Sequence, residues 1–154
     1  MNGSSSDAGS IGYKKEDGRA LADLTSWDKT LLLTEAALEK KACDLVVLEV
    51  AALTSISDYF IICAGRSDRQ VQSIAQGIEE VAVKAGSKPY AIEGAGRGHW
   101  VLMDFSDVIV HIFYEPVRDF YDLDGLWSDA PRAQLPPRYA KLAAQFQSSA
   151  TPLP

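Results

Sequence analysis

Apolar residues return at helical spacing over residues 27–42, where Leu31, Leu38 and Ala42 share a face and Glu35, Glu39 and Lys40 are mostly turned to water. Thr25 or Ser26 can cap this helix. Residues 45–50 form a short, almost continuously apolar run with one acid, and residues 59–64 a second; both read as inner strands. Gly65-Arg66-Ser67 then turns the chain into its best-specified helix. Ser67 and Gln70 have capping-box spacing, and Val71, Ile74, Ala75, Ile78, Val81 and Ala82 make an apolar stripe that Gly86 ends. Lys88-Pro89 leads to a short strand at 90–92, and a glycine-rich loop follows at 93–98.

The stretch 99–127 joins a hairpin to a helix with few residues between them. Trp100 and Leu102, then Val108, Val110 and Ile112, alternate as strand residues do, with Ser106-Asp107 supplying the turn. Glu115-Pro116 is a helix start, because proline suits the first turn and an acid suits the helix dipole. Projection at about 100° per residue puts Phe120, Leu123 and Trp127 on one side, with Val117 and Tyr121 at its flank. Asp124 falls inside that apolar arc and Leu126 on the opposite, normally polar face. Two readings stay open: Asp124 at the rim with Leu126 covered by the C-terminal tail, or a contact patch.

The order is helix, strand, strand, helix, three strands, helix. A mixed sheet of about five strands with helices packed on it, an α/β fold, satisfies those faces most simply. Residues 1–22, rich in Ser, Gly and charge, read as a disordered arm, 23–130 as the folded domain, and 131–154 as a tail. In the tail Tyr139, Leu142, Ala143 and Phe146 recur at helical spacing, so a short amphipathic helix docks back or engages a partner.

Totals narrow the classes. A chain of 154 residues, 47% hydrophobic, suits one domain. Cys43 and Cys63 lie in or beside apolar segments and read as buried reduced thiols. The N-terminus lacks the apolar core of a secretory signal, its acids argue against a transit peptide, and no run approaches a membrane span, so a cytoplasmic protein is expected. A formal charge of −6 repels phosphate backbones unless bases cluster, and Lys40-Lys41 and the scattered arginines look too separated for that, so little direct nucleic-acid contact is expected.

The whole block 99–127, together with Ser57-Asp58-Tyr59-Phe60-Ile61-Ile62-Cys63-Ala64-Gly65-Arg66-Ser67, Arg69-Gln70-Val71, Ile74-Ala75 and Glu93-Gly94, resembles the ribosomal silencing factor family, also called Iojap-related. The likeness runs from about Trp27 to Ala130. Gln70 stands where that family leads one to expect histidine, which touches any imidazole role there but not the fold. The resemblance implies a nucleotidyltransferase-like α/β fold without catalysis or cofactor. It also implies docking on the large ribosomal subunit, on its fourteenth protein, uL14, which sterically blocks the small subunit and silences translation when nutrients are scarce. Self-association off the ribosome is implied as well.

A nucleotidyltransferase needs two carboxylates one residue apart on a strand to hold magnesium. Asp104 and Asp107 flank a turn at the wrong spacing, and Asp122 and Asp124 lie on a predicted helix, where residues two apart diverge by about 160–200°. Gly65-Arg66-Ser67 partly resembles the phosphate-holding turn, so a divergent nucleotide-binding protein is the alternative. Gly94-Ala95-Gly96-Arg97-Gly98 lacks the spacing of a dinucleotide fingerprint or P-loop and reads as a flexible loop. His99 and His111 have no triad or zinc spacing; His111 reads as a satisfied sheet residue, and His99 equally as a strand-entrance or rim residue. What remains is a surface of aromatic anchors in a charged rim. Trp100, Tyr121, Asp122 and Asp124 are the expected contacts with a basic ribosomal protein, and Asp104, Asp107 and Leu126 are weaker members. Trp127 is expected in the core.

Overall fold

The computed structural model describes residues 23–86 and 88–148, so the expected N-terminal arm and the last residues of the tail lie outside it. Helix α1 (Ser26–Glu39) is capped by the Thr25 hydroxyl, which accepts from the Asp28 amide at 3.1 Å. It ends before the expected residue 42, because Lys41 turns left-handed and Ala42 already leads into strand β1 (Cys43–Glu49). Strand β2 (Tyr59–Gly65) pairs antiparallel with β1 and delivers the chain to α2 (Asp68–Lys84). Short β3 (Ala91–Glu93) and the hairpin β4 (Trp100–Asp104) and β5 (Val108–Tyr114) complete a five-stranded mixed sheet in the order β1-β2-β5-β4-β3. Only β2 and β5 run parallel. The expected α/β mixed sheet is what the chain forms.

One face of this sheet carries the main core. Ile61, Cys63, Val101, Met103, Val108, Val110 and Ile112 point to it and meet Leu33 and Leu38 of α1 and Val71, Ile74 and Ile78 of α2. The two sets of hairpin residues expected to alternate therefore separate. Val101 lies opposite Ile112 and Met103 opposite Val110, while Trp100 and Leu102 point to the other face. The cause is the connecting loop, in which the Phe105 amide bonds the Val108 carbonyl and Ser106 takes φ 78°. Lys29, buried in the first turn of α1, ties that loop down through the Asp107 carboxylate at 2.6 Å.

The other face is covered only in part. Leu48, Phe60, Ile62 and Phe113 form a smaller core under the short helices after β5. The tail docks back, as one of its two readings had it: α5 (Pro137–Ala144) lays Tyr139 and Ala143 against α1 and β1, and residues 131–133 lie along the outer edge of β1. No helix among the described residues is long and apolar enough to cross a membrane.

Candidate functional site

The segment after β5 is not the single helix the periodicity predicts. Helix α3 (Glu115–Tyr121) stops at Asp122, which takes φ 49°, ψ 52° and then caps α4 (Leu123–Leu126) by accepting the Gly125 amide at 3.1 Å. Aspartate tolerates this left-handed conformation better than most residues, because its short side chain bonds the local backbone. The kink rotates everything beyond it. Phe120, expected in the core, is 81% exposed, whereas Leu123 is buried and Trp127 packs edge-on against Phe60 at 4.9 Å. A Cβ added at Gly125 would fall on the Asp122 carboxylate. Gly125→Ala is expected to break this cap and lower stability by about 1 kcal/mol, a fall in Tm of roughly 3–4 °C by circular dichroism.

Asp124 does not sit in the apolar arc as a loose rim residue. The bend carries it to Arg118, whose Nε and Nη2 donate to its two carboxylate oxygens at 3.1 and 2.9 Å. Arg118 Nη1 also donates to the Asp44 carbonyl at 2.8 Å, so one guanidinium fastens α3, α4 and β1 together. Burial works to raise the Asp124 carboxyl, yet the Arg118 hydrogen bonds and charge outweigh it and hold the group below the usual carboxylate range. Sequence spacing gave no sign of this pair, since residues six apart do not meet on a straight helix.

Trp100 and Tyr121 do come together. Their rings are 5.0 Å apart, Trp100 rests on Phe113 at 4.8 Å, and Phe120 stands edge-on to Tyr121 at 5.1 Å. Below them Trp100 Nε1 donates to Nδ1 of buried His111 at 3.2 Å, which leaves the other imidazole nitrogen, Nε2, with the proton and without a partner. His111 is therefore a sheet residue only half satisfied, and burial pushes its pKa down to about 4. Leu102 and Trp100 line a shallow cavity of about 300 Å³ with Glu93 and Gly94. Leu126 and Asp122 are also exposed on the α3–α4 unit, Asp122 next to Tyr121 in the chain.

Asp104 and Asp107 are elsewhere. They lie at the far end of the hairpin, about 13 Å along β4 from Trp100. There Asp104 accepts the Ser106 amide and Asp107 holds Lys29. Sequence reasoning missed Phe120 and Arg118, and only the Asp122…Gly125 capping pattern hinted at the kink that parts Leu123 from Phe120 and carries Asp124 to Arg118. At Gly65-Arg66-Ser67 the Arg66 amide already donates to Gln70 Oε1 and the Ser67 hydroxyl accepts the Gln70 amide, so two polar groups a phosphate would use are taken. Among the described residues no three His, Cys, Asp or Glu side chains are grouped to hold a metal ion.

This fold has counterparts among solved structures. A crystal structure of a protein from Chromobacterium violaceum superposes with a TM-score of 0.67 at 34% identity, covering 73% of this chain and 91% of that one. The ribosomal silencing factor RsfS of Bacillus subtilis is 41% identical over 109 residues, 70% of this chain and 92% of that protein. The chloroplastic protein Iojap of Zea mays is 36% identical over 104 residues, 68% of this chain and 45% of that protein. The family described as "Ribosomal silencing factor during starvation" matches residues 24–152, taking in the sheet, the aromatic face and the docked tail. On fold, sequence and span together, the chain belongs to the ribosomal silencing factor family.

Proposed function

We propose that this protein docks on the large ribosomal subunit, on ribosomal protein uL14, and represses translation under nutrient limitation by occupying ground the small subunit needs. The observation that carries the reading is the ring cluster of Trp100, Tyr121 and Phe120, together with exposed Leu126 on α4. Three of these four are large apolar side chains more than half exposed. Such a set is costly to leave in water and has the anchor-and-rim composition of an interface. Asp122 and Glu93 supply negative charge suited to a basic ribosomal protein. Asp124 acts here through Arg118, holding α4 in place rather than touching the partner. Asp104 and Asp107 serve the hairpin tip. No bond is made or broken in this mechanism: exclusion of one particle by another is steric. Off the ribosome, the same apolar residues are the natural contact for a second copy of the chain.

The double variant Tyr121→Ala/Leu126→Ser changes side chains more than half exposed, so it is expected to stay folded, with a Tm within a few degrees of the wild type for the lost ring contacts of Tyr121. Its affinity for purified large subunits should fall at least about tenfold in co-sedimentation, the loss typical of an interface anchor. Added in excess, the wild-type chain should keep purified subunits apart on sucrose gradients and the variant should not. If subunits join equally well with the wild-type chain present, the reading is wrong.

A further inference from the structure

One imidazole stands where an apolar side chain would serve stability better. His111 lies in β5 between Ile62 of β2 and Leu102 of β4, on the sheet face that also carries Phe60 and Phe113. It is 5% exposed, and those two rings, Phe60 edge-on at 5.1 Å and Phe113 stacked at 6.4 Å, carry no charge. Its Nε2 has no partner, and burial keeps the ring uncharged at neutral pH. A buried polar atom without a hydrogen bond costs stability, so packing alone would favour Phe or Leu at this position. What the imidazole supplies instead is an acceptor at Nδ1.

Nδ1 accepts the Trp100 indole N–H at 3.2 Å, and the acceptor is fixed because the central strand of the sheet carries it. Trp100 lies directly across from Phe113 in the β4–β5 pair and rests on that ring at 4.8 Å. Stacking alone lets an indole turn in its own plane, whereas a hydrogen bond is directional and decides which edge faces inward. Tyr121 leans on Trp100 at 5.0 Å, and Phe120 stands edge-on to Tyr121 at 5.1 Å. The row runs from a buried nitrogen outward to two rings more than half exposed. We infer that His111 is a positioning residue for docking: it sets the Trp100 indole, and through it Tyr121, in the arrangement that the partner meets.

The role rests on the proposed docking to the large subunit. With its N–H bonded inside the chain, the indole is ordered before the partner arrives, so binding costs less side-chain freedom. The same bond spares the N–H from desolvation. A partner that covers the half-exposed ring strips no water from it and needs no acceptor of its own at that point. Trp100 then meets the partner through carbon. Without the acceptor, the indole either turns its N–H to water, and the ring row changes, or keeps its place with the N–H buried unpaired on docking. Both weaken the contact.

The test uses the full chain, substituted at residue 111, and purified large subunits. His111→Phe keeps a buried ring and removes the acceptor, whereas His111→Asn removes the ring and keeps an acceptor, because its Oδ1 can stand where Nδ1 does. Packing ranks them one way. His111→Phe is expected to be the more stable of the two in urea at pH 7, since the other buries a partly unpaired amide. Docking should rank them the other way: in co-sedimentation His111→Phe binds about tenfold more weakly than wild type, and His111→Asn stays within about threefold of it. In NMR spectra the Trp100 indole proton, assigned by its absence in Trp100→Phe, should exchange with water faster in His111→Phe than in wild type. Equal docking by His111→Phe and wild type overturns the inference, as does docking that follows stability, with His111→Asn the weaker binder. Should His111→Asn not fold, the phenylalanine variant decides: weaker docking together with faster indole exchange supports the inference, and an unchanged value of either overturns it. Wild type that fails to bind large subunits removes the proposed docking and the inference with it, whereas wild type and His111→Phe that bind equally remove the inference alone.

Discussion

Arg118→Met is expected to destabilise the fold by about 2–3 kcal/mol, a fall in Tm of roughly 10 °C. The arginine side chain is only 13% exposed and makes three hydrogen bonds, so its removal leaves both the Asp124 carboxylate and the Asp44 carbonyl without a partner. Methionine replaces the stem but none of the donors. The reciprocal change tests the cause: Arg118→Met/Asp124→Leu removes both charges and should recover more than half of the loss. A fall below about 2 °C for the single variant would mean that the pair contributes no more than a surface ion pair does. Because the same guanidinium holds α4, Arg118→Met should also weaken large-subunit binding at temperatures where the protein is still folded. Asp124 adds a pH signature. Its depressed folded pKa gives stability present above the ordinary carboxylate range and lost as pH falls through the folded value.

Stability should also decline between pH 6.5 and 4, a window set by His111. The unfolded chain takes a proton on this imidazole near 6.5, while the folded protein refuses it until about 4. Stability is therefore complete above the unfolded value and lost progressively below it, by about 3 kcal/mol over the whole window and roughly 2 kcal/mol at pH 5. Glu35 works in the opposite sense, since burial, only partly offset by Arg138, raises its carboxyl and favours the folded state as pH falls. The contribution of His111 is isolated by comparing wild type with His111→Phe in urea unfolding at pH 7 and pH 5. The variant should lose most of the pH dependence, and its Trp100 indole, half-exposed, can turn to water for the lost acceptor. Equal pH dependence in the two proteins would show that His111 is not the titrating group.

How much of this was legible in the sequence depends on the range of the forces involved. Helix α2 was readable from start to finish because its cap, stripe and terminating glycine are all local: Ser67 caps, Val71 to Ala82 face the core, and Gly86 takes φ 92°. The strands were readable as apolar runs. Their order was not, because periodicity says nothing of which strand lies beside which, and β5 enters between β2 and β4 only in three dimensions. The kink at Asp122 was missed for a related reason. A left-handed aspartate is chosen by the Arg118–Asp124 pair and the space under Gly125, and neither exists until the chain has bent. In the candidate site, Leu126 stood out because it occupies a position a core-facing helix would leave polar, whereas Tyr121, at the flank of the apolar arc, and Trp100, opening a hairpin, stood out through the family resemblance.

The segment 131–133 has a consequence beyond holding the tail. Pro131 accepts from the Glu49 amide at 2.8 Å and the Ala133 amide donates to the Val47 carbonyl at 2.9 Å, so the seven-residue border of β1 is sealed by the chain itself. An open border of that length, with Val46 to Leu48 at its centre, is a template on which copies stack into fibrils. Within the described sheet the one border left for such stacking is the three-residue β3, where Glu93 repels its own likeness. Among the described residues, strand-upon-strand polymerisation therefore has almost nowhere to begin.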